Sequence, residues 1–101
     1  MIEKGFKTPE DLTGKVLSVT GTSANTELLA ADAEDVFVDL VSTVNVWIRI
    51  ASTGTPTAVV GTSYFMVANA TYRFPVSKGA RIAAIKDTGE DDGSLYIHPV
   101  K

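Results

Sequence analysis

From residue 36 to residue 100 the chain is a succession of short runs rich in valine, isoleucine and aromatic residues, with turn-forming residues between them. "VFVDLVS" (36–42), "VNVWIRIAS" (44–52), "TYRFPVS" (71–77), "ARIAAIK" (80–86) and "SLYIHPV" (94–100) follow one another in this way. Strand-length runs separated by turns at intervals of about ten residues are the mark of an all-β sandwich or barrel. No stretch sustains an amphipathic helical period over three turns. The expected architecture is therefore a single-domain antiparallel β-sandwich over residues 15–101, preceded by an N-terminal arm, 1–14.

The alternation inside each run assigns an inner and an outer face. Ile48, Ile50, Phe74, Ile82, Leu95 and Ile97 occupy the apolar phase of their strands and are expected in the core. Pro75 cannot donate to a ladder, so its strand belongs at an edge or at a bulge. Ser42-Thr43 is read as a hairpin hinge, and residues 57–69 as one short strand with room for a second broken at Gly61. Upstream, "KVLSVT" (15–20) reads as a strand, and "TPEDL" as a single helical turn with Thr8 as cap and Pro9 at the first position. Residues 24–35, "ANTELLAADAED", are read as a loop across the sheet, anchored by Leu28 and Leu29.

Composition narrows the functional classes. A net charge of −3 and a pI near 4.9 argue against nucleic-acid binding, which draws on clustered Lys and Arg. The apolar runs are too short for a membrane span, and the opening "MIEKGFKTPEDLTGK" lacks the apolar core of a secretory signal. With no cysteine and one histidine, thiol catalysis, disulfides and structural zinc are not expected. His98 sits in "YIHPV" with no evident orienting partner, and no Gly-x-Ser-x-Gly elbow accompanies the serines, so no enzyme is expected. "GTSANT" and "ASTGTPT" lack the following helix of a phosphate loop and are read as turns. "KDTGEDDGS" (86–94) gathers Asp87, Glu90, Asp91 and Asp92, but not in the ligand spacing of a calcium loop. It is read as a solvated hairpin tip. No metal and no cofactor is expected.

The feature left over is the second face of "VNVWIRIAS". Its first face supplies a complete apolar row, yet the other carries Asn45, Trp47 and Arg49. Either Trp47 is buried beneath the 24–35 loop, or these side chains stand outside as an interface anchor, a role for which Trp, Tyr and Arg are favoured types. Tyr96 and His98 share one face of the last strand. Were that strand a neighbour of the first, all five side chains would form one contact patch. A homo-oligomer with Trp47 at or near its contact surface is the corresponding expectation.

Residues 44–100 resemble a recurrent pattern in small virion proteins of tailed bacteriophages. The pattern is a strand of the form W/V-x-R-I (Trp47 to Ile50), an aromatic-rich strand (Tyr64 to Val67), a G-x-x-I-A-A-I strand (Gly79 to Ile85) and a closing L-Y-I strand (Leu95 to Ile97). The resemblance implies a jelly-roll-like sandwich acting as a capsid decoration or head–tail adaptor subunit. It further implies a trimer, contacts with other virion proteins such as the major capsid protein, and synthesis in the host cytoplasm before incorporation into the virion. A carbohydrate-binding β-sandwich module, with Trp47, Tyr64 or Tyr72 as stacking platforms, is the alternative.

Overall fold

In the closing strand the burial alternates residue by residue: Leu95 and Ile97 are inside, Tyr96 and His98 outside. The same two-residue period organises the computed structural model, which describes residues 14–28 and 36–100. Eight strands form: β1 (Lys15–Val19), β2 (Ala24–Glu27), β3 (Val36–Ser42), β4 (Val46–Ala51), β5 (Tyr64–Met66), β6 (Thr71–Val76), β7 (Arg81–Lys86) and β8 (Gly93–Val100). No helix occurs among the described residues.

The strands make two four-stranded sheets, β1-β8-β3-β6 and β2-β7-β4-β5, antiparallel throughout. Every connection except β4–β5 carries the chain from one sheet to the other. This interleaving of eight strands is the jelly roll, in which two sheets share one interior. Leu17, Val19, Val38, Leu40, Leu95 and Ile97 from the first sheet meet Val46, Ile48, Met66, Ile82 and Ala84 from the second. Of the expected core, Ile48, Ile82, Leu95 and Ile97 are buried, whereas Ile50 and Phe74 only pack partly against it.

Two segments differ from the sequence reading. Ser42-Thr43 is not a hairpin, because β3 and β4 belong to different sheets. Ser42 is buried, and its hydroxyl donates to the Val44 carbonyl at 2.7 Å while accepting from the Val44 N–H at 3.3 Å. That small turn lets the chain change sheets without leaving a buried polar group unpaired. Residues 24–27 are strand β2 rather than loop, paired with β7 along Ala24↔Ala84 to Glu27↔Arg81. Leu28 is buried as expected, while Leu29 and the rest of that segment to residue 35 lie outside the described residues. Within 57–69 the one short strand expected there is Tyr64–Met66, and no second strand forms. Pro75 lies on β6, at an edge, as its missing N–H requires. The expected arm lies outside the described residues apart from Gly14, as does the helical turn at "TPEDL".

Candidate functional site

Trp47 stands on the outer face of the second sheet, in register with Phe65 on β5 and Ile85 on β7. Its ring packs on Phe65 with centroids 4.9 Å apart and planes tilted by 55°. The indole Nε1–H donates to Asp87 Oδ1 at 2.9 Å. The Asp87 N–H donates to the Asn45 carbonyl at 2.9 Å, and the Asn45 N–H to Glu90 Oε1 at 3.0 Å. Asn45 Oδ1 in turn accepts the Ala68 N–H at 2.8 Å. Asn45 and Trp47 thus dock the acidic turn against the sheet.

The turn is consequently no free hairpin tip. It joins β7 to β8 across the two sheets, and Asp87 and Glu90 are spent as acceptors on the protein itself. Gly89, at φ 87°, occupies the third position of a type II turn closed by the Glu90 N–H on the Asp87 carbonyl at 3.2 Å. Of the four acidic residues in 86–94 only Asp91 and Asp92 are exposed, and Asp92 receives Lys86 Nζ at 2.9 Å. Among the described residues no three or more His, Asp and Glu side chains gather into a group that could hold a metal ion.

The segment 52–63 lies over this sheet; of the expected covering loop, 24–27 is strand β2 and 29–35 lies outside the described residues. The Ala58 N–H donates to Ser23 Oγ at 2.9 Å, so the loop reaches past β7 towards the β2 side. Beneath it Ala83, on an outward phase between Arg49 and Asn25, is fully buried. Pro56 and Ala58 are buried in the loop itself.

Tyr96 and His98 lie on the outer face of the other sheet. The structure therefore separates them from Asn45, Trp47 and Arg49 by the whole thickness of the sandwich, and the five do not form one patch. The reason is the jelly-roll order, which seats β8 between β1 and β3 and never beside β4. Around Tyr96 the register instead assembles a row that sequence reasoning missed: Val16, Tyr96 and Val41 stand side by side on β1, β8 and β3. Val16 is 61% exposed, Tyr96 39%, and Phe37, further along β3, 48%. The signal was present as apolar residues on the outer phases of three strands, but only the pairing brings them together.

Between Phe37 and that row runs a polar one, Arg73, Asp39 and His98. Arg73 grips Asp39 in a two-pronged pair, Nε to Oδ1 at 2.7 Å and Nη2 to Oδ2 at 2.9 Å. This hydrogen bonding holds the Asp39 carboxyl below its ordinary value of 3.8. Partial burial opposes the shift, and the positive charges of Arg73 and His98 assist it.

A third region opens at the edge where β5 and β6 face one another. Tyr64 meets Phe74 edge-on at 5.5 Å and Tyr72 at 6.1 Å, so aromatic rings join the two sheets here. Beside them is a cleft of about 400 Å³. Its apolar surface comes from Ile48, Ile50, Val59, Tyr64 and Phe74, and its polar groups from Arg49, Thr62 and Ser63. The partial exposure of Ile50 and Phe74 has its cause in this opening.

Comparisons with protein-family models, with curated proteins and with solved structures find no match to this chain.

Proposed function

We propose that the protein is a non-enzymatic structural subunit that assembles through the outer face of the β1-β8-β3-β6 sheet. The supporting observation is the outward row Val16, Tyr96 and Val41, in which Val16 and Tyr96 are exposed and Val41 half-buried, with exposed Phe37 nearby, on a sheet whose inner face already closes the core. Contiguous apolar surface rimmed by polar residues is typical of protein contacts. Asp39, Arg73 and His98 add a polar strip that would fix the register of a partner. The resemblance to tailed-bacteriophage virion proteins gives the setting: a decoration or adaptor subunit of the virion, a trimer of this chain in contact with the major capsid protein.

Light scattering on wild type and on Tyr96→Lys tests the proposal, with circular dichroism to report folding. The expected result is a wild-type oligomer and a folded variant that runs as a monomer. A wild type that stays monomeric at high concentration removes the proposal.

The cleft favours a second reading, a carbohydrate-binding module. Tyr64, 53% exposed beside it, offers a ring face to a sugar. Trp47 is less suited to that role, since Phe65 and Asp87 already engage its ring and its N–H.

A further inference from the structure

The cleft beside Tyr64 has a polar complement that its apolar lining does not require. The Asn45 carbonyl accepts from Asp87, which sets the hydrogen-bonding phase of β4. Residues 45, 47, 49 and 51 turn their backbone groups to β7, so Val46, Ile48 and Ile50 turn theirs to the β5 side. Strand β5 pairs only with Val46, Trp47 and Ile48 and then ends. Ile50 is the next residue on that side, and its N–H and C=O face the cleft beyond the last rung of the ladder. Arg49 also lines the cleft and makes no hydrogen bond or ion pair among the described residues. In that it differs from Arg73, held by Asp39, and from Arg81, held by Asn25 and Glu27.

The far wall is fixed in advance. Ser63 Oγ accepts the Val59 N–H at 2.9 Å, and the Val59 carbonyl receives the N–H groups of Thr62 and Ser63 at 3.2 and 3.0 Å. A volume of about 400 Å³ lies within the range of small-molecule sites, which are largely apolar with a few placed polar groups. It holds one ring-sized body.

We propose that this cleft binds a small carboxylate carried on a ring with an apolar face. The ring lies against Tyr64, Phe74 and Ile50, and the carboxylate meets the unpaired guanidinium of Arg49, whose planar fork suits that group. The N–H and C=O of Ile50, which lie beyond the last rung to β5, serve a polar substituent. The ring is an arene or the apolar face of an acidic sugar. The proposal is independent of the assembly face, and it deepens the carbohydrate reading if the ring is a sugar.

The test is nuclear magnetic resonance titration of the whole chain with phenylacetate and glucuronate, beside their uncharged counterparts phenylacetamide and glucose. Binding on the order of millimolar is expected for at least one carboxylate, with shifts at Tyr64, Phe74 and Ile50. Its neutral counterpart should bind roughly tenfold more weakly, the effect of one charge-assisted contact. Arg49→Gln, with an unchanged circular dichroism spectrum, should erase that difference, and Tyr64→Ala should weaken acid and neutral probe alike. A response to phenylacetate alone identifies an arene, and to glucuronate alone an acidic sugar. Neutral probes binding as tightly as their acids in both pairs would overturn the carboxylate proposal, and glucose among them would leave the carbohydrate reading standing. Absence of binding by all four probes, or shifts confined to other surfaces, would overturn both.

Discussion

The two outer faces of this sandwich begin from the same kind of sequence and end differently. On the β2-β7-β4-β5 sheet the outward aromatic and apolar residues are partnered. Trp47 has Phe65 and Asp87, and Ala83 lies beneath the 52–63 loop. On the β1-β8-β3-β6 sheet Val16, Phe37 and Tyr96 remain exposed. Outward apolar phase is thus no measure of exposure. What separates the faces is whether a connection returns across them, and here the long β4–β5 loop and the β7–β8 turn both serve one sheet. Among the described residues no connection crosses the β1-β8-β3-β6 face, which leaves it area to give a partner.

The largest effect is expected in the interior that both sheets share. Ile48, fully buried, supports both sheets at once, and Ile48→Ala should cost about 2–5 kcal/mol by lost burial plus a cavity. Chemical denaturation would read this, and an unchanged midpoint would contradict the shared interior. Gly93→Ala attacks the seam between the sheets. A Cβ there would stand 2.5 Å from Thr43 Oγ1 and 2.9 Å from both Val44 methyl carbons. These are stiff β-branched side chains, so a loss of roughly 1–3 kcal/mol is expected in the same experiment.

Trp47→Phe keeps a ring on the covered face but removes the donor to Asp87. A loss of about 1 kcal/mol should follow, with faster amide exchange in the 87–92 turn. Tyr96→Lys on the bare face should leave the unfolding midpoint of the single chain nearly unchanged while altering assembly. If both substitutions destabilise alike, the contrast between the faces fails.

The smallest effect belongs to Asp39. Its folded value is depressed, so its contribution is intact above the unfolded value near 3.8 and is lost as pH falls below that, through the folded value. Wild type and Asp39→Asn should therefore differ slightly in melting temperature at neutral pH and converge below that window. A difference that persists unchanged in strong acid would rule out the carboxylate as its source.

The strand alternation let the burial of Ile48, Ile82, Leu95 and Ile97 be read from residue types alone. Pro75, which cannot donate to a ladder, was legible as an edge residue for an equally local reason. The candidate site was far less legible. Val16, Val41 and Tyr96 are distant in sequence and meet only through the β1-β8-β3 register. The cleft arises because β5 stops after three residues, leaving Ile50 beside open space.

By itself, then, the sequence determined the two-residue period, the number and nature of most strands, and which side of each faces inward. Those follow from side-chain shape and apolarity within a few residues. Only the tertiary structure decided that Ser42-Thr43 changes sheets instead of closing a hairpin, that Trp47 and Tyr96 lie on opposite sides, and that Asp87 and Glu90 serve Trp47 and Asn45. Strand partners are chosen by how the whole set of apolar faces can be buried together. That is a property of all eight strands jointly, and no single strand carries it.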